Sequence, residues 1–254
     1  MGIRLLVNGI GGYMGREVAR LCSEGYHCAE LSGGVDPSGN APSGVSLYRS
    51  VDEIDAVDFD CIIDFSHHSA ANKLCEYAAK TNTPVIFCTT GYTDEELEII
   101  RNTSEKVAVF RSGNMSLGIN LLIELSKKAA EILEDFDIEV IEQHHNQKLD
   151  APSGTALMIA DGIKEVREDS NYVYDRTQVR RKREANEIGI HSVRGGSIVG
   201  EHEVIFAGRN ENVTLRHSAL SREVFADGAL KAAEFIAGKP AGMYNMSDVL
   251  ENLF

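Results

Sequence analysis

Along residues 1–115, short apolar runs alternate with stretches whose apolar positions recur every three or four residues, the pattern of strands and helices taken in turn. "IRLLVNG" (3–9) reads as a first strand, and Met14, Val18 and Leu21 then share one helical face until Gly25 closes the helix. A second strand runs to "GGVDP" (33–37). "FDCIIDF" (59–65) is the near-continuous apolar run expected of a strand buried on both faces of a parallel sheet. Ala71, Leu74 and Ala78 mark the next helix face, "PVIFCTT" (84–90) a fourth strand, and Thr93 with Glu96 a capping box. "VAVFRSG" (107–113) ends the series. The alternation predicts a doubly wound parallel sheet covered by helices.

From about Ser116 the pattern changes. A long apolar helix (116–133) leads into the strand "FDIEVIE" (136–142), then into "QHHNQKLDAPS" and a second helix from Gly154. A polar segment of little periodicity covers 168–187. The runs "IGIHSVRGG", "SIVGEHEVIFAG" and "NVTLRHSAL" follow, separated by Gly-Gly and "GRNEN", and are expected to be antiparallel strands. A last helix, "REVFADGALKAAEFIAG", is expected to pack back on the first domain. The predicted division is a dinucleotide-binding domain of residues 1–115 and 223–254, interrupted by an α+β substrate-binding domain of residues 116–222.

Charge and composition exclude several roles. The net charge of −14 argues against a nucleic-acid partner, because phosphate binding draws on clustered Lys and Arg. The one basic run, Val179 to Glu184, is expected to be a solvated loop. No stretch approaches the roughly 18 uninterrupted apolar residues of a membrane span, and glycines break the N-terminal apolar run, so it reads as a strand and not a signal peptide. A cytoplasmic protein is expected. Cys22, Cys28, Cys61, Cys75 and Cys88 form no CxxC pair, which points to reduced thiols and not to a disulfide framework or a zinc site.

The first chemical signal is "NGIGGYMG", directly after the first strand and opening the first helix. Gly9, Gly12 and Gly15 allow a tight turn, close approach to a pyrophosphate and close helix–strand packing, while the helix N-terminus offers donors to phosphate. Asp36 ends the second strand, where an acidic residue accepts hydrogen bonds from a ribose 2′-hydroxyl. Its carboxylate would repel a 2′-phosphate, and Pro37, Ser38 and Gly39 supply no cation. NADH is therefore the expected cofactor, with NADPH possible. "CTTG" (88–91) and "SGNM" (112–115) end the fourth and fifth strands, where ligands of open α/β sheets sit, and are placed to line the nicotinamide and its ribose. His67 and His68, after the third strand, read as cofactor contacts or as exposed loop residues.

The second signal is "EQHHNQKLDAPSGTA" (142–156). Consecutive side chains of an extended segment point opposite ways, so one of His144 and His145 enters a pocket while the other supports it or contacts substrate. A histidine of near-neutral pKa suits general acid catalysis, and Lys148 is a second proton source. Pro152 lies near a helix start that leaves the Gly154 and Thr155 amides unpaired as a carboxylate cradle. The rivals are a metal site and a structural histidine pair. Against metal stand the absent HExxH-type spacing and the nearby Lys148.

The segment "HHNQKLDAPSGTA" resembles the HHxxKxDAPSGTA signature of the dihydrodipicolinate reductase family, also called 4-hydroxy-tetrahydrodipicolinate reductases. The likeness extends through "GIGGYMG", "IDFS", "TTG", "NMSLGIN", "VRGGSIVGEHEVIFAG" and "GMYNMSDVL". It implies a Rossmann-like domain joined to a mixed-sheet domain that builds a homotetramer. It also implies hydride delivery from a nicotinamide to C4 of a small cyclic dicarboxylate, with loss of its 4-hydroxyl, on the diaminopimelate route to lysine. By the same resemblance His144 matches the catalytic acid/base and Lys148 the proton donor. His145, Lys148, Gly154 and Thr155 match the substrate-binding groups, and no metal is implied. Gly9, Ile10, Gly11, Gly12, Tyr13, Met14, Asp36, Cys88, Thr89, Thr90, Ser112, Gly113, Asn114 and Met115 match cofactor contacts.

Three departures stand out. Cys88 replaces a frequent Gly and could crowd the cofactor, Tyr13 replaces a frequent Arg, and "RTQVRRKREANE" lacks the glycines expected there. Other readings of the chain are an aspartate or homoserine dehydrogenase of similar plan, a nicotinamide-binding regulatory module, and a zinc hydrolase.

Overall fold

A computed structural model describes residues 2–54, 59–177 and 180–253. The chain divides into two compact units, Met1–Leu117 with Glu223–Phe254, and Gly118–Arg222. In chain order the elements are β1 (Ile3–Asn8), α1 (Tyr13–Ser23), β2 (Ala29–Val35), β3 (Leu47–Tyr48), β4 (Cys61–Asp64), α2 (Ala71–Thr81), β5 (Val85–Phe87), α3 (Asp94–Ser104) and β6 (Ala108–Arg111). Then come α4 (Leu117–Ile132), β7 (Asp137–His144), α5 (Gly154–Val166), β8 (Asn171–Val173), β9 (Glu187–Arg194), β10 (Gly200–Ala207) and β11 (Asn212–Ala219). The chain closes with α6 (Glu223–Ile236), β12 (Gly242–Tyr244) and α7 (Met246–Glu251).

The first unit is a Rossmann-like parallel sheet in the order β12-β6-β5-β4-β1-β2-β3. Successive strand residues face opposite sides, and both sides are apolar. Leu5, Val7, Ile63, Ile86 and Phe110 pack with α1 and α6 residues in one core. Leu6, Ile62, Val85, Phe87 and Val109 share the other with α2 and α3 residues. Helix α6 lies against α1 and the central strands. At the start of α3, the Thr93 hydroxyl accepts from the Glu96 amide and the Glu96 carboxylate from the Thr93 amide. The two-residue β3 and three-residue β12 are edge strands without their own apolar periodicity, which is why the sequence pattern missed them.

The second unit is a five-stranded mixed sheet in the order β11-β10-β7-β9-β8. Its topology corrects the sequence reading: only β10 and β11 form an antiparallel hairpin, whereas β9 pairs parallel with β7 and β8. Strand β7 inserts between β9 and β10. A local pattern identifies strands but not partners, and the apolar β7 takes the central place where both its edges are paired. Strand β8 lies in the segment read as featureless. Helix α5 covers one face, with Ala156, Ile159, Ala160 and Ile163 against Ile138, Val140, Ile190, Val204 and Phe206.

The basic run lies in a loop, and of its described residues Arg180, Arg181, Lys182 and Glu184 are exposed, as expected of a solvated loop. Val179 lies outside the described residues, but the Arg183 guanidinium donates to Asp137, Glu139 and the Ile138 and Glu187 carbonyls. Arg176 and Arg181 pair with the buried Glu187. These cations neutralise acids of β7 and β9.

Candidate active site

In the first unit, the turn after β1 is shaped by contacts that only glycine tolerates. Gly9 has φ +80°, and a Cβ there would lie 2.6 Å from the Phe65 carbonyl oxygen. Its amide and that of Ile10 donate to the Val35 carbonyl. Gly12 is the N-cap of α1 and supplies no side-chain cap, so the first turn of the helix is left open to an anion. Gly11 donates its amide to Asp36 at 2.9 Å, and Ser38 donates both amide and hydroxyl to the same carboxylate. Burial pushes the Asp36 carboxyl up, but the Ser38 and Gly11 bonds and the nearby Arg16 charge hold it below its ordinary value. Arg16 is thus a cation beside Asp36 that the sequence reading did not place.

Other expected cofactor residues divide between surface and interior. Tyr13 is 61% exposed, and Thr90 and Gly113 are exposed. Met115 is buried, while Met14 and Cys88 pack against the core. The Cys88 thiol lies 3.9 Å from the Ile86 carbonyl. The Ser112 hydroxyl donates to the Asn114 carbonyl, and Asn114 accepts from the Ser116 amide, so "SGNM" is a self-braced turn. Thr89 donates to Asp64 at 3.0 Å. His67 caps a short 3-10 turn through the Ser69 amide, and His68 pairs with Glu96 at 2.9 Å. His67 is therefore engaged within its own turn and His68 with the first turn of α3. These features fit a nucleotide: a turn that side chains would fill, an uncapped helix start and an oriented carboxylate.

In the second unit, β7 alternates Ile138, Val140, Glu142 and His144 on its buried face. The apolar register thus ends in a carboxylate and an imidazole. Glu142 is fully buried. It accepts from His144 Nδ1 at 2.5 Å, from both terminal nitrogens of Arg194 at 2.7 and 2.8 Å, and from the Ser153 amide at 3.1 Å. Burial pushes its carboxyl up, but the His144 and Arg194 contacts overcome that and hold it well below the carboxylate range. With Nδ1 bonded to Glu142, the proton-carrying atom left to His144 is Nε2. That atom lies 3.1 Å from where a Cβ on Gly200 would stand, so any other residue at 200 would crowd it. His202 packs edge-on to His144 at 5.3 Å between centroids. Burial pushes the His202 ring down to about 3, with the His144 charge adding to the effect.

His145 is half-buried, and the turn continues with the Lys148 amide on its carbonyl. The Lys148 ammonium lies 2.8 Å from an Asp150 carboxylate oxygen. That contact holds the Asp150 carboxyl below its ordinary value. Gly154 is the first residue of α5, at the helix start where the sequence reading put a carboxylate cradle. Ser153 is the N-cap of α5, accepting from the Ala156 amide, and its hydroxyl contacts His202 at 3.1 Å. Thr155 follows Gly154 in the first turn of α5, so it lies beside the cradle. The Arg194 guanidinium also donates to the Asp150 carbonyl. Sequence reasoning missed Glu142, Asp150, Arg194 and His202. Glu142 left one signal, a charge on the apolar parity of its strand.

Among the described residues no group of three or more His, Cys, Asp or Glu is placed to hold a metal ion, and no helix is long and apolar enough to cross a membrane.

Comparison with known proteins adds to this geometry. Residues 3–115 match the family model "Dihydrodipicolinate reductase, N-terminus" and residues 118–250 the model "Dihydrodipicolinate reductase, C-terminus". The 4-hydroxy-tetrahydrodipicolinate reductase of Caldanaerobacter subterraneus subsp. tengcongensis is 51% identical over 99% of both chains. That of Clostridium tetani is 46% identical over 98% of both. The dipicolinate-bound dihydrodipicolinate reductase of Paenisporosarcina sp. TG-14 superposes with a TM-score of 0.82 at 26% identity, covering 100% of each chain. Aspartate dehydrogenase of Thermotoga maritima shares the fold alone, with a TM-score of 0.52 at 12% identity over 94% of this chain and 98% of its own.

Proposed function

The chain belongs to the dihydrodipicolinate reductase family of pyridine-nucleotide oxidoreductases, and from that premise we propose that it reduces 4-hydroxy-tetrahydrodipicolinate to tetrahydrodipicolinate, with loss of water, on the diaminopimelate route to lysine. The observation that carries the reading is the Lys148 ammonium held on a carboxylate just before the start of α5, beside a histidine backed by a buried anion. Asp150 stands there for a carboxylate of the substrate, which takes the Lys148 ammonium together with Gly154, Thr155 and His145.

The chemistry supplied by a bound reduced nicotinamide is a hydride for C4 of the substrate ring. Proton transfer belongs to Lys148 Nζ and His144 Nε2. Glu142 fixes the orientation of the His144 ring by accepting from Nδ1, and Arg194 keeps Glu142 ionised, so Nε2 can pass a proton without the ring turning. The neutral His202 beside it adds bulk without charge. In the first unit the Gly9–Met14 turn would hold the pyrophosphate, Asp36 the adenosine ribose, and the 88–90 and 112–115 turns the nicotinamide and its ribose. Asp36, ionised and bonded to Gly11, disfavours a 2′-phosphate, which supports NADH over NADPH; Arg16 beside it leaves NADPH usable.

The working form is a homotetramer, an assignment supported by the sheet face away from α5, where Ile141 and Ile205 are half-covered and Val193 is 44% exposed. The reading sets the enzyme in the cytoplasm, where its nicotinamide cofactor is kept reduced.

The test is NADH oxidation with the substrate generated in situ by its synthase, run beside NADPH and Lys148→Ala. Rapid oxidation that the variant abolishes is expected. NADH binding with no oxidation would overturn the substrate assignment while leaving the nucleotide domain standing.

A further inference from the structure

Asp64, at the end of β4, is fully buried and takes no part in the chemistry above. One carboxylate oxygen accepts from Asn8 Nδ2 at 2.8 Å, the Ser66 hydroxyl at 2.6 Å and the Ser66 amide at 3.2 Å. The other accepts from the Thr89 hydroxyl at 3.0 Å and the Tyr92 hydroxyl at 3.3 Å. Asn8 also donates to the Ser66 hydroxyl at 2.9 Å. Strands β1, β4 and β5 are neighbours, so this one carboxylate ties together the loops leaving three adjacent strand ends, where α/β sheets bind nucleotides. A buried carboxylate surrounded only by neutral donors is costly to maintain. Burial raises its pKa, and the Ser66, Asn8 and Thr89 bonds offset only part of that.

The arrangement fixes a polarity as well as a shape. Asn8 Nδ2 and the Ser66 amide can only donate, so the oxygen they share must stay an acceptor. The second oxygen faces two hydroxyls. With their hydrogens turned to Asp64, Thr89 presents lone pairs away from the carboxylate, and it can then accept but not donate.

We propose that Asp64 is a positioning residue for the cofactor: it joins the loops after β1, β4 and β5 into one floor and makes the Thr89 hydroxyl an acceptor for the amide N–H of the nicotinamide. The proposal rests on the cofactor reading above, which places Thr89 against the nicotinamide.

Asp64→Asn reverses the polarity without changing the shape. The two obligate donors hold the Asn oxygen, its amino group faces Thr89 and Tyr92, and the Thr89 hydrogen is driven outward. Titration calorimetry would measure the affinities of wild type and variant for NADH and for the reduced 3-acetylpyridine analogue, which lacks the amide N–H. Thermal melting and pyridine-2,6-dicarboxylate binding serve as controls. For Asp64→Asn the Kd for NADH should rise roughly tenfold, the size of one lost hydrogen bond to a buried partner, while the analogue changes by less than about twofold. Melting temperature and dicarboxylate binding should be unchanged. Thr89→Val should abolish the same discrimination by another route. Equal losses for both nucleotides, or lost NADH affinity with a lowered melting temperature, would reduce Asp64 to a scaffold residue and overturn the proposal, as would unchanged NADH affinity. Absence of NADH binding by the wild type would instead overturn the cofactor reading beneath it.

Discussion

Asp64 and Glu142 are both fully buried carboxylates near strand ends, one in each unit, and their surroundings push them in opposite directions. Asp64 meets only neutral donors, so burial prevails and its pKa is raised. Glu142 meets the Arg194 guanidinium bidentately and the His144 ring, so burial is overcome and its pKa is lowered. Withdrawal from water disfavours both anions alike, and the sign of the outcome follows from whether a cation was buried with them. The parallel sheet thus uses a carboxylate to order loops, whereas the mixed sheet uses one to hold the His144 ring and the Arg194 guanidinium.

The sharpest test of this division lies in the second unit. His144→Ala and Lys148→Ala should each lower kcat roughly 10²- to 10⁴-fold, with NADH affinity measured by calorimetry unchanged. Near-normal turnover in both would remove the proton-transfer role from this unit.

Next in size is Glu142→Gln. It leaves the Arg194 charge without its bidentate partner, and destabilisation on the order of 3 kcal/mol is expected in urea unfolding at neutral pH. Because the folded pKa of Glu142 lies below its ordinary value of 4.5, its stabilisation is fully present above that value. It is lost as pH falls below 4.5 toward the folded pKa. The variant's stability should therefore fall less steeply on acidification than the wild type's, and parallel acid limbs would contradict the assignment.

A smaller change is expected at the ribose site. Asp36→Ala should shift the kcat/KM ratio of NADPH to NADH by about tenfold toward NADPH, by removing one negative charge beside Arg16. An unmoved ratio would mean that Asp36 does not set cofactor choice.

Smallest, and opposite in sense to Glu142→Gln, is the effect of Asp64→Asn on stability. A raised folded pKa means that stability falls as pH rises above the ordinary 3.8 until the folded value is passed. Removing the charge should leave neutral-pH stability within about 1 kcal/mol of wild type. A loss as large as that of Glu142→Gln would erase the contrast between the two units.

Much of this was legible in the chain. Period-two and period-3.6 apolar patterns are local, so β1, α1, β4, α2, β5, α3, β6, β7, α5 and α6 could all be read before any contact was known. The glycine turn followed by Asp36, and the HHNQKLDAPSGTA segment, were legible for the same reason, since each packs its chemistry into a few consecutive positions. What the sequence could not decide was partnership. Strand β7 lies between β9 and β10, and only that order sets Arg194 beside His144 and His202 beside Glu142 in register. Asp64 gathers partners from positions 8, 66, 89 and 92, which become neighbours only when three parallel strands align. The residue types and their local geometry were written in the sequence. The pKa directions, and hence the roles, came from charges brought together across the chain, because electrostatic environment depends on distance in space and not on separation along the backbone.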